Sequence, residues 1–397
     1  MADWFRFVFG NKRLLNFGFL FNFFSSFGQT FFISLFVPYW IAELHITNAS
    51  FGSVYAIVTL ISAGLLTITG KYIDRLSLKK FSLIVFSGLM LSVLFLSQAK
   101  SIVVLVLGLL LVRWFGQGLM THTSSTGIAK YFESNRGKAL GFTALGHPAG
   151  QFLLPLIMVP LIMHTSWRLS LIYMAVLASV LVIPALTAIK RVTSFEPNLD
   201  YKKKLKNTSK ENYLLSKTFW KIAVNAFAIP FLATAVFLYQ YTIGQNKGFT
   251  NSWVAFSFAF YAVFNAVGML TSGNLVDKYG GIKLFPLYLI PALLGIILMP
   301  IIDNKWIFPV FYALLGFSSG LGSTIKTAIQ AEIYGTQNLG KIRSYFSTIL
   351  VVSTAVGPPV FGYLLDKQFT LSHILAMAGV FVVIAIFLSF RIKKAEE

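Results

Sequence analysis

The chain has 397 residues, of which 56% are hydrophobic, 16% aromatic and only 12% charged, with 40 Phe. Soluble globular domains carry about a quarter charged residues, so this composition excludes a soluble globule and describes an integral membrane protein. There is no Cys, which excludes disulfides, thiolate metal sites and Cys nucleophiles; the net charge of +20 acquires a meaning only once the charges are located.

A helix crossing the roughly 30 Å of membrane hydrocarbon needs about 20 mostly apolar residues. In chain order the sequence predicts twelve such spans: 14–41, 51–70, 81–99, 102–127, 138–163, 168–189, 219–243, 252–273, 284–302, 306–329, 342–365 and 371–391. The fourth and fifth are separated only by the charge cluster Lys130, Glu133, Arg136 and Lys138. The apolar runs are continuous, without period-2 alternation, so helices are expected rather than a barrel. The start, MADWFRFVFGNKRLL, is basic, but the apolar run behind it is too long for a signal-peptide core and shows no small-residue cleavage site. The first span is therefore expected to stay in the mature protein.

With both termini cytoplasmic, 26 of the 33 Lys and Arg residues fall in cytoplasmic segments or at their edges, nine of them from Lys190 to Lys221, around the connection of spans six and seven. The opposite side holds five, Lys100, Arg168, Lys247, Lys305 and Lys367, and the remaining two, Arg113 and Lys326, lie within predicted helices. The positive-inside rule orients the chain accordingly. The +20 is chiefly a topology signal, with the lipid bilayer as the partner of these charges; no nucleic-acid partner is expected, because the basic residues are scattered among short loops.

An internal repeat is visible. GKYIDRLSLKK at 70–80 and GNLVDKYGGIK at 273–283 share Gly, Asp, a basic residue and a final Lys at an offset of 203 residues. The same offset relates Gly137-Lys138 to Gly340-Lys341 and Asn22 to Asn225, while Gly118 and Gly320 differ by 202. The organisation expected is a six-helix bundle over 1–190, a basic cytoplasmic linker over 191–217 and a second six-helix bundle over 218–397.

The G-x-x-x-D-[RK] loop, Gly70, Asp74 and Arg75 with Lys79 or Lys80, and its copy Gly273, Asp277, Lys278 and Lys283, resembles the signature of the major facilitator superfamily, and the resemblance extends over essentially the whole length. RGKALGFTALGHPAGQFLLP at 136–155 and the stretch 331–366 further resemble the bacterial members related to monocarboxylate porters. The resemblance implies an all-α polytopic membrane protein, twelve transmembrane helices in two pseudo-symmetric six-helix bundles around a cavity lined by helices 1, 4, 7 and 10, and alternating access by rocking of one half against the other. It also implies a gating role for Gly70, Asp74, Arg75, Gly273, Asp277 and Lys278; the alternative is a set of interfacial pairs that merely snorkel.

Arg113, near the middle of span four, is the sharpest single signal. An ionised Arg at the bilayer centre costs on the order of 2.5–3.5 kcal/mol on translocon scales, so it should face the bundle interior. It is read as an anion-binding or proton-coupling group, against the alternative of a strut between helices. Lys326 in span ten is the second such cation. All 13 acidic residues fall in termini, loops or helix ends. A binder of organic cations would want a mid-membrane carboxylate, whereas Arg113 with Lys326 suits a carboxylate substrate. The eighth span, where the monocarboxylate resemblance would place a basic residue, contains none.

Polar stripes complete the expected substrate site: Asn22, Ser26 and Gln29 on span one, Arg113, Gln117 and Thr121 on span four, and Tyr239 with Gln240 in span seven, each open to the alternative of helix–helix hydrogen bonding. His147 and His122 are the titratable candidates for a proton relay, or else structural donors. Gly146, Pro148 and Gly150, and Gly357, Pro358, Pro359 and Gly362, serve either tight packing or a hinge. Trp114 is read as facing lipid. Neither H-E-x-x-H nor G-x-x-x-x-G-K-[ST] occurs, so no enzyme, no nucleotide-driven pump, no catalytic residues, no metal and no cofactor are expected. The reading is a secondary active transporter of a small organic, carboxylate-like anion in the bacterial inner (plasma) membrane, multi-pass with both termini cytoplasmic, and with a co-transported proton or ion as a further partner. The alternative is an exporter of amphipathic drugs or metabolites.

Overall fold

A computed structural model describes residues 2–132, 135–189, 213–335 and 339–392. Among them, eleven helices are long and apolar enough to cross a membrane: Asn48–Asp74, Leu78–Leu96, Ile102–Tyr131, Arg136–His164, Trp167–Ala188, Lys217–Leu238, Asn251–Tyr279, Gly281–Ile301, Ile307–Tyr334, Ile342–Asp366 and Leu371–Phe390. The twelfth span is the first in sequence, and it departs from the expected continuous helix. Lys12–Phe24 gives way to a 3-10 turn at Ser25–Gly28, Gln29 is extended (φ −86°, ψ 152°), and helix resumes at Thr30–Ile33 and Val37–Leu44.

The local chemistry accounts for the break. Ser25 Oγ donates to the Asn22 carbonyl at 2.6 Å and Ser34 Oγ to the Phe31 carbonyl at 2.7 Å, side-chain bonds that compete with the helical ladder. Gly28 is a poor helix former, and Pro38, in the first turn of Val37–Leu44, brings no N–H. Elsewhere the spans begin where short polar side chains cap them: Ser77 accepts from Lys80 N, Ser101 from Val104 N, Ser166 from Leu169 N, Thr250 from Trp253 N and Thr370 from His373 N.

The chain forms two compact units, Met1–Ile46 with Ile57–Pro197, and Thr47–Ala56 with Asn198–Glu397. The second span thus belongs to the first unit along most of its length, while its opening turns group with the second. The predicted linker 191–217 lies outside the described residues as far as 212, and the described chain resumes in a 3-10 turn at Tyr213–Leu215.

In the first unit, spans one and five meet at small residues: a Cβ on Gly146 would lie 2.2 Å from the Phe19 carbonyl oxygen, and one on Gly150 would lie 2.3 Å from Ser26 Oγ. In the second unit, spans eight and ten pack backbone to backbone at Gly316 and Gly320, whose Cβ atoms would fall 2.4 Å and 2.2 Å from the carbonyl oxygens of Tyr261 and Asn265. Such small-residue seams suit helices that associate in lipid, where apolar side chains gain nothing by leaving their surroundings. Leu91 and Leu270, 67% and 80% exposed, lie on apolar outer surfaces that fit hydrocarbon and would be unstable in water.

Candidate functional site

Within the first unit, the break in span one is matched by an irregularity in span four. Residues Arg113–Met120 form a π-helical stretch, a wound-out geometry that recurs at functional positions. The two irregular segments touch through glycine: a Cβ on Gly28 would lie 2.4 Å from Gln117 N and 2.5 Å from the Val112 carbonyl oxygen, and one on Gly116 would lie 2.9 Å from Gly28 N. Arg113 is 2% exposed, with Nη1 3.4 Å from the Gly28 carbonyl oxygen. Ser26 Oγ and Thr121 Oγ1 are buried without a hydrogen-bond partner among the described residues, Ser26 Oγ lying against Gly150 of span five. Gln29 and Gln117 are half-buried at the same level. The first unit therefore brings Arg113 and Gln117 against the backbone at Gly28, next in sequence to Gln29, with unwound backbone on both sides of the contact.

Asn22 sits one turn away and is engaged differently. Its Nδ2 donates to Ser124 Oγ and to the Thr143 carbonyl, both at 2.9 Å, tying span one to spans four and five. Asn225, its counterpart at the repeat offset, does the same in the second unit, donating to Ser389 Oγ at 2.7 Å and to the Phe285 carbonyl at 3.3 Å. Trp114 is not simply lipid-facing as expected: its Nε1 donates to Thr69 Oγ1 at 3.1 Å, and its ring packs on Phe115 at 4.6 Å.

The two candidate relay histidines differ. His122 Nε2 lies 3.1 Å from the Gly70 carbonyl oxygen and Nδ1 lies 3.4 Å from Thr126 Oγ1. A carbonyl only accepts, so Nε2 carries a proton and donates to it. His122 is thus coupled to the first residue of the repeated loop. His147 is half-buried and packs edge-on against Phe31 at 6.3 Å. Within that loop Asp74 forms an ion pair with Lys130 at the end of span four, and the Arg75 guanidinium lies over the Tyr72 ring at 5.7 Å.

In the second unit the copy of the loop is built otherwise. Asp277 makes no ion pair among the described residues, and Lys278 lies over the Tyr279 ring at 5.1 Å. Gly273 faces open space. The carboxylate that organises this end is Glu332 of span ten, which accepts from Gly281 N at 2.5 Å and Ile282 N at 2.9 Å, the first free amides of span nine. Sequence reasoning missed it; the available signal was Gly280-Gly281, where Gly280 (φ +82°) ends span eight and leaves those amides to be satisfied.

Tyr239 is the turn between Lys217–Leu238 and Gln240–Asn246, and Gln240 is the first residue of the second of these helices. Tyr239 is fully buried, and its hydroxyl lies 2.7 Å and 3.1 Å from the carbonyl oxygens of Asn48 and Pro358, while Gln240 Oε1 accepts from the Tyr312 hydroxyl at 3.0 Å. A second unforeseen carboxylate lies nearby. Asp366 accepts from Asn48 N at 3.0 Å, Asn48 Nδ2 at 2.9 Å and Ala49 N at 2.7 Å, capping the second span. Lys326 is half-buried, its stem close to Gly322 and the Tyr288 ring. Among the described residues no cluster of His, Asp and Glu suited to a metal ion occurs.

The family model of the Major Facilitator Superfamily matches residues 18–321 and 235–397. An MFS-type transporter of Gibberella moniliformis is 25% identical over 264 residues, covering 64% of this chain and 60% of that protein. Monocarboxylate transporter 12 of Mus musculus is 23% identical, covering 71% and 65%, and the aspyridones efflux protein apdF of Emericella nidulans is 24% identical, covering 64% and 50%. The chain thus spans between half and two thirds of the length of these relatives. In fold it is similar to an inward-facing, occupied bacterial homologue of the human lysosomal transporter Spinster (TM-score 0.72, 15% identity, 96% of each chain) and to a mutant of the nucleoside transporter NupG (TM-score 0.74, 12% identity, 96% and 98%). Both the family and the fold are those of transporters rather than enzymes.

Proposed function

We propose that this chain, which belongs to the Major Facilitator Superfamily, carries a small organic anion of the carboxylate class across the bacterial inner membrane by alternating access, with both termini in the cytoplasm. The observation that carries the reading is Arg113, 2% exposed at the break in span one. Arg remains charged in any protein environment and presents a planar fork matched to a carboxylate. Unwound backbone beside it supplies polar groups at membrane depth, where irregular backbone is tolerated only around protein or a cavity. The described carboxylates, Glu43, Asp74, Asp277, Asp303, Glu332 and Asp366, all sit at helix ends or in connections, so no acidic group competes at that depth among the described residues.

Gln117 and Gln29 join Arg113 in the proposed substrate set of the first unit, and Tyr239, Gln240 and Lys326 are the proposed substrate residues of the second; Asn22, whose amide is spent on Ser124 and the Thr143 carbonyl, leaves the set as a strut. His122 and His147 are the proposed sites for a co-transported proton, with His122 joined to the Gly70 end of the gating loop. The loops Gly70, Asp74 and Arg75, and Gly273, Asp277 and Lys278, are the proposed gates. The test is charge movement on solid-supported membranes, with reconstituted protein challenged by carboxylates, amino acids, sugars and cationic drugs at two pH values. Carboxylate-specific currents that Arg113→Gln abolishes, in a protein that still purifies folded, are the expected outcome; wild-type currents in that variant would sink the anion site. A second reading, export of amphipathic molecules, draws on the relative named as an efflux protein, and responses confined to bulky amphipaths would select it.

A further inference from the structure

A groove of about 620 Å³ opens on the first unit where spans one, five and six come together, at the end of the bundle from which the chain enters the Lys-rich segment after Ala188. Its volume falls within the range of small-ligand pockets, about 300–1,000 Å³. The back wall is aromatic, Phe19 against Phe142 with ring centroids 6.1 Å apart. The side given by span six is shaped by Pro184 and by the small residues Ala185 and Ala188, which leave depth where larger side chains would fill it. At the mouth stand Lys12 and Arg13, both exposed and both without a hydrogen bond or ion pair among the described residues.

Two further grooves provide a contrast. One of about 380 Å³ between spans nine and twelve, and one of about 320 Å³ lined by Phe227, Phe231, Phe361 and Phe381, have no charged residue in their walls. Those suit hydrocarbon alone. The groove under Lys12 and Arg13 joins an apolar trough to a pair of cations that have no ion-pair partner among the described residues, at the level where the first span begins, and an amphipathic anion answers both halves of that arrangement. A zwitterionic lipid would fill the trough and leave the net charge unanswered; a free phosphate would answer the charge and leave the trough empty. Basic residues near a membrane surface attract anionic headgroups by about 1 kcal/mol each.

We propose that this groove binds an anionic phospholipid, with its phosphate held by Lys12 and Arg13 and an acyl chain lying along Phe19, Phe142 and Pro184. The test is native mass spectrometry of the detergent-purified full chain, titrated with phosphatidylglycerol or with phosphatidylcholine of the same acyl chains. Wild-type protein is expected to retain phosphatidylglycerol in preference. Substituting both cations, Lys12→Gln with Arg13→Gln, is expected to lower that preference about tenfold or more. The control Lys217→Gln with Lys221→Gln, which removes the same charge at the start of span seven, is expected to keep it. Ala185→Phe, which fills the trough and keeps both cations, is expected to lose the retained lipid while the protein stays monodisperse. An unchanged preference in the Lys12 and Arg13 variant, an equal loss in the control, undiminished retention in Ala185→Phe, or displacement of the lipid by equimolar inorganic phosphate would each overturn the proposal.

Discussion

At the scale of single residues, backbone proximity decides more than side-chain type. Gly28 and Gly116 let two irregular backbones touch, and no rotamer can relieve a side chain placed there, because the neighbours at 2.4 Å and 2.5 Å are the backbone atoms of Gln117 and Val112. Gly28→Val is expected to destabilise the first unit by about 1–3 kcal/mol or more, read as a lowered melting temperature in detergent; an unshifted transition would mean that spans one and four are free to part. Asn22 teaches the complementary lesson. From the stripe Asn22, Ser26 and Gln29, the sequence could not tell which amide would meet a solute and which a neighbouring helix, since a hydrogen bond to Ser124, 102 residues away, leaves no trace in local spacing.

At the scale of elements, two helices are capped by carboxylates lent from other helices: Glu332 on span nine and Asp366 on span two. An anion at a helix N-terminus satisfies free amides and meets the positive end of the helix dipole. Glu332→Ala should therefore cost about 1–2 kcal/mol, whereas Glu332→Gln should recover part of it by keeping one acceptor; equal melting of all three proteins would show that water serves these amides as well. The loop at 70–80 and its copy were legible as a repeat, yet the two loops use their charges differently, Asp74 pairing with Lys130 while Glu332 replaces Asp277 as the organising acid. As a hypothesis on the gate, Asp74→Asn should reduce turnover more than apparent substrate affinity, and an unchanged transport rate would reduce the loop to a topology element.

At the scale of the whole molecule, the ends of the first unit's helices are fastened by a charge cluster at Glu43. Its carboxylate accepts from Arg168 Nη1 at 2.9 Å and Trp167 Nε1 at 3.3 Å, pairs with Arg168 Nη2, and Arg168 in turn donates to the Ala99 carbonyl at 3.1 Å. The Arg168 hydrogen bonds hold the Glu43 carboxyl below its ordinary value of 4.5. A depressed folded-state value means that the cluster's contribution is complete above that ordinary value and is lost as pH falls through the lower, folded one. The thermal transition of the wild type should decline on acidification below about pH 4 by more than that of Glu43→Gln, and parallel profiles would remove Glu43 from the account. The pair is partly exposed, so the effect should be modest and should weaken with salt.

The sequence by itself determined the membrane class, the twelve spans, the duplicated loops and the superfamily, because hydrocarbon charges each residue its transfer cost locally and additively, and a repeat is preserved in the order of residues. It also marked Arg113, since a cation inside an apolar run is conspicuous without any neighbour. Only the tertiary structure decided that the first span breaks at Ser25–Gly28, that Arg113–Met120 winds out into a π-helix beside it, and that Asn22 and Asn225 serve as struts. These depend on which backbones approach and which distant hydroxyls and carbonyls complete each polar group, and in a medium without water that completion is set by the neighbouring helix rather than by the next residue.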